Sequence, residues 1–321
     1  MLLSSLAFDE TCSIQRNCRE GSEEIAKKMC EEPKCVLVDY DSLPDYLKDN
    51  EFIVSCYRCE WPLKETVLSM FSVHNETLNV WTHLIGFLIF LVLTVITAMM
   101  IPREESIKDE ESNAISPLIS TPITRWPFFA FLCGAMFCLL ASSVCHLTSC
   151  HSERTSYLML RLDYTGISTL IVTSFYPLVY YSFICDPFIS NLYICFITTF
   201  GVASVLVSFV PVFQTAEFRT VRASLFFCMG ISGLVPIVHK LVVFSDRPEA
   251  ILSTGYEFLM GVFYGLGIVA YVTRVPERWK PGKFDLVGNS HQLFHVLVIA
   301  GAYTHYLAGL VYLEWRDVDR C

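Results

Sequence analysis

Seven long apolar runs recur along the chain, and they constrain its fold more than any other feature. Each run has about 20 residues with few charges, the length that an α-helix needs to cross the hydrocarbon core of a bilayer. The runs lack the alternation of apolar and polar residues that is typical of barrel strands. Because backbone N–H and C=O groups in lipid must be hydrogen-bonded within the protein, helices are expected. The predicted crossings are Val80–Ile101, Pro127–Leu147, Tyr157–Ile184, Phe188–Phe213, Ala223–Phe244, Ile251–Thr273 and Ser290–Leu313.

The predicted fold class is therefore an all-α integral membrane protein, a bundle of seven transmembrane helices. Hydrophobic residues make up 53% of the 321 residues and charged residues only 17%, which excludes an ordinary soluble domain of this size. The net charge of −9 argues against a nucleic-acid partner.

Four regions are predicted along the chain. Leu63, Val67, Met70 and Phe71 share one helical stripe, which predicts a short amphipathic helix at the membrane interface before the first crossing. The regions are a disordered acidic cytosolic leader at 1–35, a juxtamembrane segment containing that helix at 36–79, the seven-helix membrane domain at 80–313, and a short C-terminal tail at 314–321.

Positive charges near the membrane predict the orientation. Nine Lys and Arg residues lie on the N-terminal side and six on the other, which favours a cytoplasmic N-terminus and a C-terminus outside or in a lumen. The chain is thus expected to be a multi-pass protein of the plasma membrane or an endomembrane. Cys56 and Cys59 precede the first crossing; on a cytosolic face they are expected to be reduced thiols, with palmitoylation as the alternative.

Four ionisable residues are predicted to meet at one depth in the membrane. His146 closes the second crossing, Asp163 lies early in the third, and His291 and His295 open the seventh, all toward the N-terminal side. His291 and His295 are four residues apart and share a helix face. With His146 they offer three imidazole ligands, which suit zinc and leave a fourth tetrahedral position for water. The sequence therefore predicts a Zn²⁺ site held by these three histidines.

Asp163 and Ser142 are the predicted catalytic residues. Asp163 is expected to act as a general base on a zinc-bound water, or to ligate the metal directly; both remain open, as does an ion pair with Arg161 or Arg154. Ser142, one helical turn before His146, could bond an imidazole, the substrate's oxyanion or its own helix.

Other polar residues receive simpler interpretations. Asn79 and His83, at the start of the first crossing, are expected to pack helices or support the ligands from outside. His239 and Glu257 lie toward the opposite face, where structural hydrogen bonding is favoured over pairing with each other or lining a cavity. His74 is expected to be exposed to solvent.

Four blocks of the sequence resemble the progestin and adipoQ receptor family, and within it the plant heptahelical proteins related to adiponectin receptors. The resemblance extends from about Val38 to the C-terminus. The blocks are NETLNVWTHLIGF at Asn75–Phe87, SSVCHLTSCHSE at Ser142–Glu153, LDYTGI at Leu162–Ile167 and HQLFHVLVIAGAYTHY at His291–Tyr306.

The resemblance implies seven helices with a cytoplasmic N-terminus and a zinc ion near the inner leaflet. It places the ligands at His146, His291 and His295, with Asp163 at the zinc-bound water and Ser142 close by. It also implies hydrolysis of ceramide to sphingosine and a fatty acid. Recognition of adiponectin belongs to animal members of the family.

Two functions are weighed. The first is a zinc-dependent hydrolase that cleaves a ceramide-type lipid amide in the membrane and is linked to hormone or stress signalling. The second is a non-enzymatic receptor or scaffold with a structural zinc. The expected partners are a lipid substrate and an extracellular or lipophilic ligand whose identity is unknown. G-protein coupling is disfavoured by the orientation and by the lack of DRY-like and NPxxY-like blocks.

Overall fold

The computed structural model describes residues 35–100, 123–319 and 321, and within these ranges the regular structure is helical. Short 3₁₀ turns precede and connect the helices. The α-helices are α1 (Leu63–Leu68), α2 (Thr77–Met99), α3 (Trp126–Thr148), α4 (Glu153–Ser182), α5 (Pro187–Ser208), α6 (Arg219–Ile231), α7 (Leu234–Val243), α8 (Pro248–Thr273) and α9 (Ser290–Val318).

A bundle of seven spans is confirmed. Six stretches are long and apolar enough to cross a membrane, with α6 and α7 together forming one of them. The remaining span is α4, whose 30 residues exceed the length required but include the ionisable Arg161 and Asp163. The leader predicted at 1–35 falls almost wholly outside the described residues.

The crossing predicted at Ala223–Phe244 is divided into α6 and α7. Pro236 has no N–H with which to continue the α-helical ladder to the Ser232 carbonyl. Val235 N–H bonds that carbonyl instead at 3.2 Å, in a tighter turn. The backbone thus tightens into a turn at Ser232 and Gly233 without leaving that carbonyl unpaired.

Helix α9 occupies the centre of the packing. It contacts α2, α3, α4 and α8, and together with α3 it is among the most buried spans. Gly309 allows this close approach, because a Cβ there would lie 2.1 Å from the Phe128 ring of α3. This contact joins the start of α3 to the later part of α9, at the ends opposite to the predicted ligands.

The juxtamembrane segment packs beneath the bundle. Val38 and Tyr57 form an isolated antiparallel bridge, and Asp285 accepts hydrogen bonds from Val54 N–H and Ser55 N–H. The amphipathic helix is confirmed as α1 and the turn after it, where Leu63, Val67 and Phe71 present exposed apolar side chains.

Disulfides lie toward both ends of the bundle. Cys185, after α4, is joined to Cys321, so the C-terminus is tethered to the α4–α5 connection. At the other end Cys59 is a free thiol, as expected. Cys56 is disulfide-bonded, so its prediction as a reduced thiol is wrong.

A buried ionic cluster joins α7, α8 and α9 near the end opposite the histidines. The Lys240 ammonium donates to Ser253 Oγ at 2.9 Å, to Glu257 Oε2 at 2.8 Å and to Tyr312 Oη at 2.6 Å. Lys240 and Glu257 side chains are completely buried. Glu257 therefore pairs with Lys240 and not with His239, which contacts Tyr193 Oη at 3.1 Å.

Substitution of Lys240 by Met is expected to destabilise the protein by about 3–5 kcal/mol, because it leaves the Glu257 carboxylate buried without its partner. The double variant Lys240→Met/Glu257→Met removes both charges and is expected to be more stable than Lys240→Met. Thermal unfolding in detergent measures both. Additive losses in the double variant would contradict a coupled pair.

Candidate metal centre

Three histidines converge where the end of α3 meets the start of α9. One nitrogen from each of His146, His291 and His295 lies within 4.8 Å of the others, and the group could hold a metal ion. The Nε2 atoms of His146 and His291 are 3.1 Å apart. The structure therefore brings together the three residues that the sequence places at one depth.

Helix α9 presents its two histidines from a well-supported N-terminus. Asn289 caps the helix by accepting a hydrogen bond from Gln292 N–H at 3.0 Å. Glu277, from the connection before α9, accepts a bond from Ser290 N–H at 2.8 Å. These bonds satisfy amides that the first turn leaves without helical partners, and they define where the helix that carries His291 and His295 begins.

Helix α3 presents His146 from its last turn, and Arg58 closes that turn. The guanidinium donates to the carbonyl of His146 at 2.8 Å and to the carbonyl of Leu147 at 2.9 Å. Ser69 Oγ accepts a further bond from Arg58. Sequence reasoning counted Arg58 only as a positive charge near the membrane, whereas it satisfies carbonyls at the end of a ligand-bearing helix.

Asp163 lies across from the histidines on α4. Its carboxylate interacts electrostatically with His146 and with the Ser142 side chain. Arg161 points elsewhere, with its guanidinium 5.6 Å from the centre of the Phe209 ring. The contact with Ser142 places the Asp163 carboxylate beside α3, the helix that carries both Ser142 and His146.

Glu76 is a member of the cluster that sequence reasoning missed. Its Oε2 lies 2.8 Å from His146 Nδ1 and accepts a bond from Asn79 Nδ2 at 2.6 Å. Burial by itself would raise the pKa of Glu76, but the facing imidazole and these hydrogen bonds outweigh burial and lower the pKa. The available signal was the spacing of Glu76, Asn79 and His83, which places them on one face of α2.

Asn79 and His83 lie around the histidines without joining the group that could hold an ion. Asn79 bonds Glu76, and the His83 ring stacks on the His295 ring with centroids 3.5 Å apart and an angle of 10° between planes. Thr82 Oγ1 lies 3.1 Å from His295 Nδ1. Thr82 and His83 of α2 thus both contact the ring of His295 on α9.

A cavity of about 90 Å³ opens beside the cluster on the N-terminal side of the bundle. Glu76, His146 and His291 line it together with Arg219 and Asp49, which form an ion pair across it. The Arg219 guanidinium also lies over the Tyr271 ring, 4.6 Å from its centre. Charged and polar side chains of the juxtamembrane segment and of α6 therefore face the same cavity as the imidazoles.

His74 is buried, so the prediction that it is exposed is wrong; only 1% of its surface is accessible. Its Nδ1 accepts a bond from Glu76 N–H at 3.1 Å, so its Nε2 donates to the Ser69 carbonyl, 3.1 Å away. Both nitrogens are satisfied only in the neutral ring. Burial lowers the pKa of His74 to about 3.

Comparisons with known proteins agree with this fold. Residues 71–306 match the model of the family described as "Haemolysin-III related". Heptahelical transmembrane protein 4 of Arabidopsis thaliana is 54% identical, over 99% of this chain and 97% of its own length. ADIPOR3, a heptahelical transmembrane protein of Oryza sativa subsp. japonica, is 50% identical, over 89% of this chain and 92% of its own length. The adiponectin receptor protein of Drosophila melanogaster is 37% identical, over 92% of this chain and 63% of its own length.

The pH dependence of stability tests the environment of His74. Since the folded-state pKa is about 3 and an exposed histidine titrates near 6.5, the unfolded chain takes up a proton first as the pH falls. His74 is expected to cost on the order of 2 kcal/mol of stability between pH 6.5 and pH 5. Unfolding midpoints of wild type and His74→Gln across this range measure the difference. Parallel pH profiles would contradict the prediction.

Proposed function

Because the chain belongs to the haemolysin-III-related family of heptahelical, adiponectin-receptor-like membrane proteins, we propose that it is a zinc-dependent hydrolase of a lipid amide of the ceramide type. The observation that carries the proposal is the convergence of His146, His291 and His295 from two helices. Asp163, on a third helix, lies close enough to interact with His146.

The donor set fits zinc. Three neutral imidazoles are typical ligands of a catalytic zinc, which keeps one tetrahedral position open. Ligands at about 2.0–2.1 Å from one ion in a tetrahedron are about 3.3 Å apart, close to the 3.1 Å between the Nε2 atoms of His146 and His291. His146, His291 and His295 would hold the ion. When bound, zinc supplies an activated water near neutral pH and polarises the carbonyl of the amide.

Asp163 is assigned the role of general base. It removes a proton from the attacking water as oxygen bonds to the amide carbon, and it returns that proton to the nitrogen as the carbon–nitrogen bond breaks. One amide and one water thereby yield an amine and a fatty acid. Ser142, whose side chain interacts with the Asp163 carboxylate, is assigned the role of orienting it.

The membrane context supports a lipid as substrate. The site lies at the ends of transmembrane helices, beside α2 and α8, whose outer faces carry exposed apolar side chains. A long-chain amide would place its chains among such residues and its polar head at the cavity lined by Glu76 and Arg219.

The proposed orientation puts the N-terminus and the site on the cytoplasmic side, in the plasma membrane or an endomembrane. It rests on the excess of Lys and Arg on that side, including Arg219, Arg222 and Arg274. The Drosophila relative is named as an adiponectin receptor, which supports a link to an extracellular or lipophilic ligand and to hormone or stress signalling. A cytoplasmic N-terminus is the reverse of the G-protein-coupled arrangement, so coupling to G proteins is disfavoured.

The second candidate is a receptor or scaffold in which zinc only joins α3 to α9. Direct ligation of zinc by the Asp163 carboxylate would favour this second candidate, because structural zinc sites are closed by four protein ligands. The two candidates differ in whether water can reach the ion and in whether turnover occurs.

Hydrolysis by purified protein in detergent distinguishes them. With long-chain ceramide as substrate, wild type is expected to release fatty acid and sphingosine, measured by mass spectrometry. Asp163→Asn should bind zinc and lose about 10²–10⁴-fold in rate, because it removes the proton acceptor. His295→Ala should lose both zinc and activity.

His151→Ala serves as the control, because His151 contacts the Trp61 carbonyl and lies outside the group that could hold an ion. Its turnover should match wild type. Equal turnover in wild type and His295→Ala would contradict the hydrolase, while bound zinc without turnover in wild type would favour the receptor or scaffold.

A further inference from the structure

The contacts of Glu76 define the chemical form of His146. A carboxylate whose Oε2 lies 2.8 Å from His146 Nδ1 and already accepts from Asn79 acts as a hydrogen-bond acceptor. Nδ1 of His146 therefore carries the hydrogen, and Nε2 keeps its lone pair in the neutral ring. That Nε2 is the atom facing His291.

Thr82 acts in the same way on His295. Its hydroxyl donates to the Leu78 carbonyl at 2.7 Å, so the oxygen accepts from His295 Nδ1, 3.1 Å away. Nε2 of His295 is then the nitrogen left with a lone pair. Two ligand rings on different helices thus receive the same tautomer from one helix, α2, that supplies no ligand of its own.

We infer that Glu76 is a positioning residue of the metal site, which fixes the ring of His146 with Nε2 toward the ion, and that Thr82 does the same for His295. The inference rests on the proposed zinc site and assigns a role to the start of α2. A carboxylate behind a ligating imidazole orients the ring and increases its strength as a ligand. His83, stacked on His295, restricts the second ring further.

A simpler role for Glu76 would be structural. Its contacts with His146 and Asn79 join the start of α2 to the end of α3, and such a link stabilises the bundle with or without metal. The two roles differ in what they change. A structural link alters the stability of the metal-free protein, whereas a positioning residue alters affinity for zinc.

Zinc affinity measured by competition with a chromophoric chelator tests the inference. Glu76→Gln keeps the size of the side chain but replaces the carboxylate by a neutral amide, and it is expected to weaken zinc binding by about 10–100-fold. Thr82→Val, which removes the hydroxyl at nearly constant volume, should weaken binding in the same direction. Thr82→Ser restores the hydroxyl and should restore the affinity.

Glu60→Gln is the matched control, because Glu60 is an exposed carboxylate in the same juxtamembrane segment and the change in charge is identical. Its zinc affinity should stay within about twofold of wild type, as expected for an exposed site away from the ligands. Unfolding midpoints of each variant are recorded with and without zinc, so that the gain from the metal is separated from the stability of the metal-free bundle.

The outcomes are distinct. If wild type binds no zinc, the proposed function fails. If wild type binds zinc and Glu76→Gln binds it equally well, the inference about Glu76 is overturned while the proposed function stands. A lower metal-free midpoint in Glu76→Gln with unchanged zinc affinity would show that the contact is only structural and would also overturn it.

Discussion

The rings of His146 and His295 lie between membrane helices, and residues at the start of α2 give one nitrogen of each ring a hydrogen-bond partner. A polar atom without a partner in a water-poor interior is costly, so each neutral ring needs an acceptor for its N–H and a donor or a cation for its other nitrogen. Glu76 and Thr82 contact the Nδ1 atoms of His146 and His295. The facing Nε2 atoms leave a point where a cation would satisfy them together.

The bundle has a polar cluster toward each end and an aromatic layer between them. Toward one end the histidines join α3 and α9; toward the other, Lys240 joins α7 to Glu257 of α8 and Tyr312 of α9. Between them α9 packs against α3 through Tyr306 and Phe128, whose ring centres are 5.5 Å apart. Helix α9 is common to all three layers, so its position determines the geometry at both ends.

The sequence predicts the spans and the three histidines because both depend on local or periodic information. Run length places each crossing, and the alternation of helix direction places His146 beside His291 and His295 without knowledge of side-chain contacts. Ser142 and Asp163 follow from the same order of helices, and in the structure their side chains interact.

What the sequence does not predict are contacts made by residues outside the spans or on apolar stretches. Glu76 and Arg58 belong to a polar segment and are indistinguishable there from solvated charges, yet they bond His146. Lys240 lies in an apolar run. Its pairing with Glu257 on α8 depends on how α7 and α8 are rotated about their axes, which the sequence does not give. The separation of α6 from α7 follows from Pro236, whose presence alone does not determine whether a helix bends or ends.

X-ray absorption at the zinc edge of the purified, zinc-loaded protein tests the central claim most directly. The account predicts one zinc per chain with three nitrogen ligands and one oxygen ligand at about 2.0–2.1 Å, and no sulfur. A sulfur shell at about 2.3 Å would contradict it by assigning the metal to a thiolate such as that of Cys145. A protein that retains no zinc after purification in zinc-containing buffer would contradict it as well.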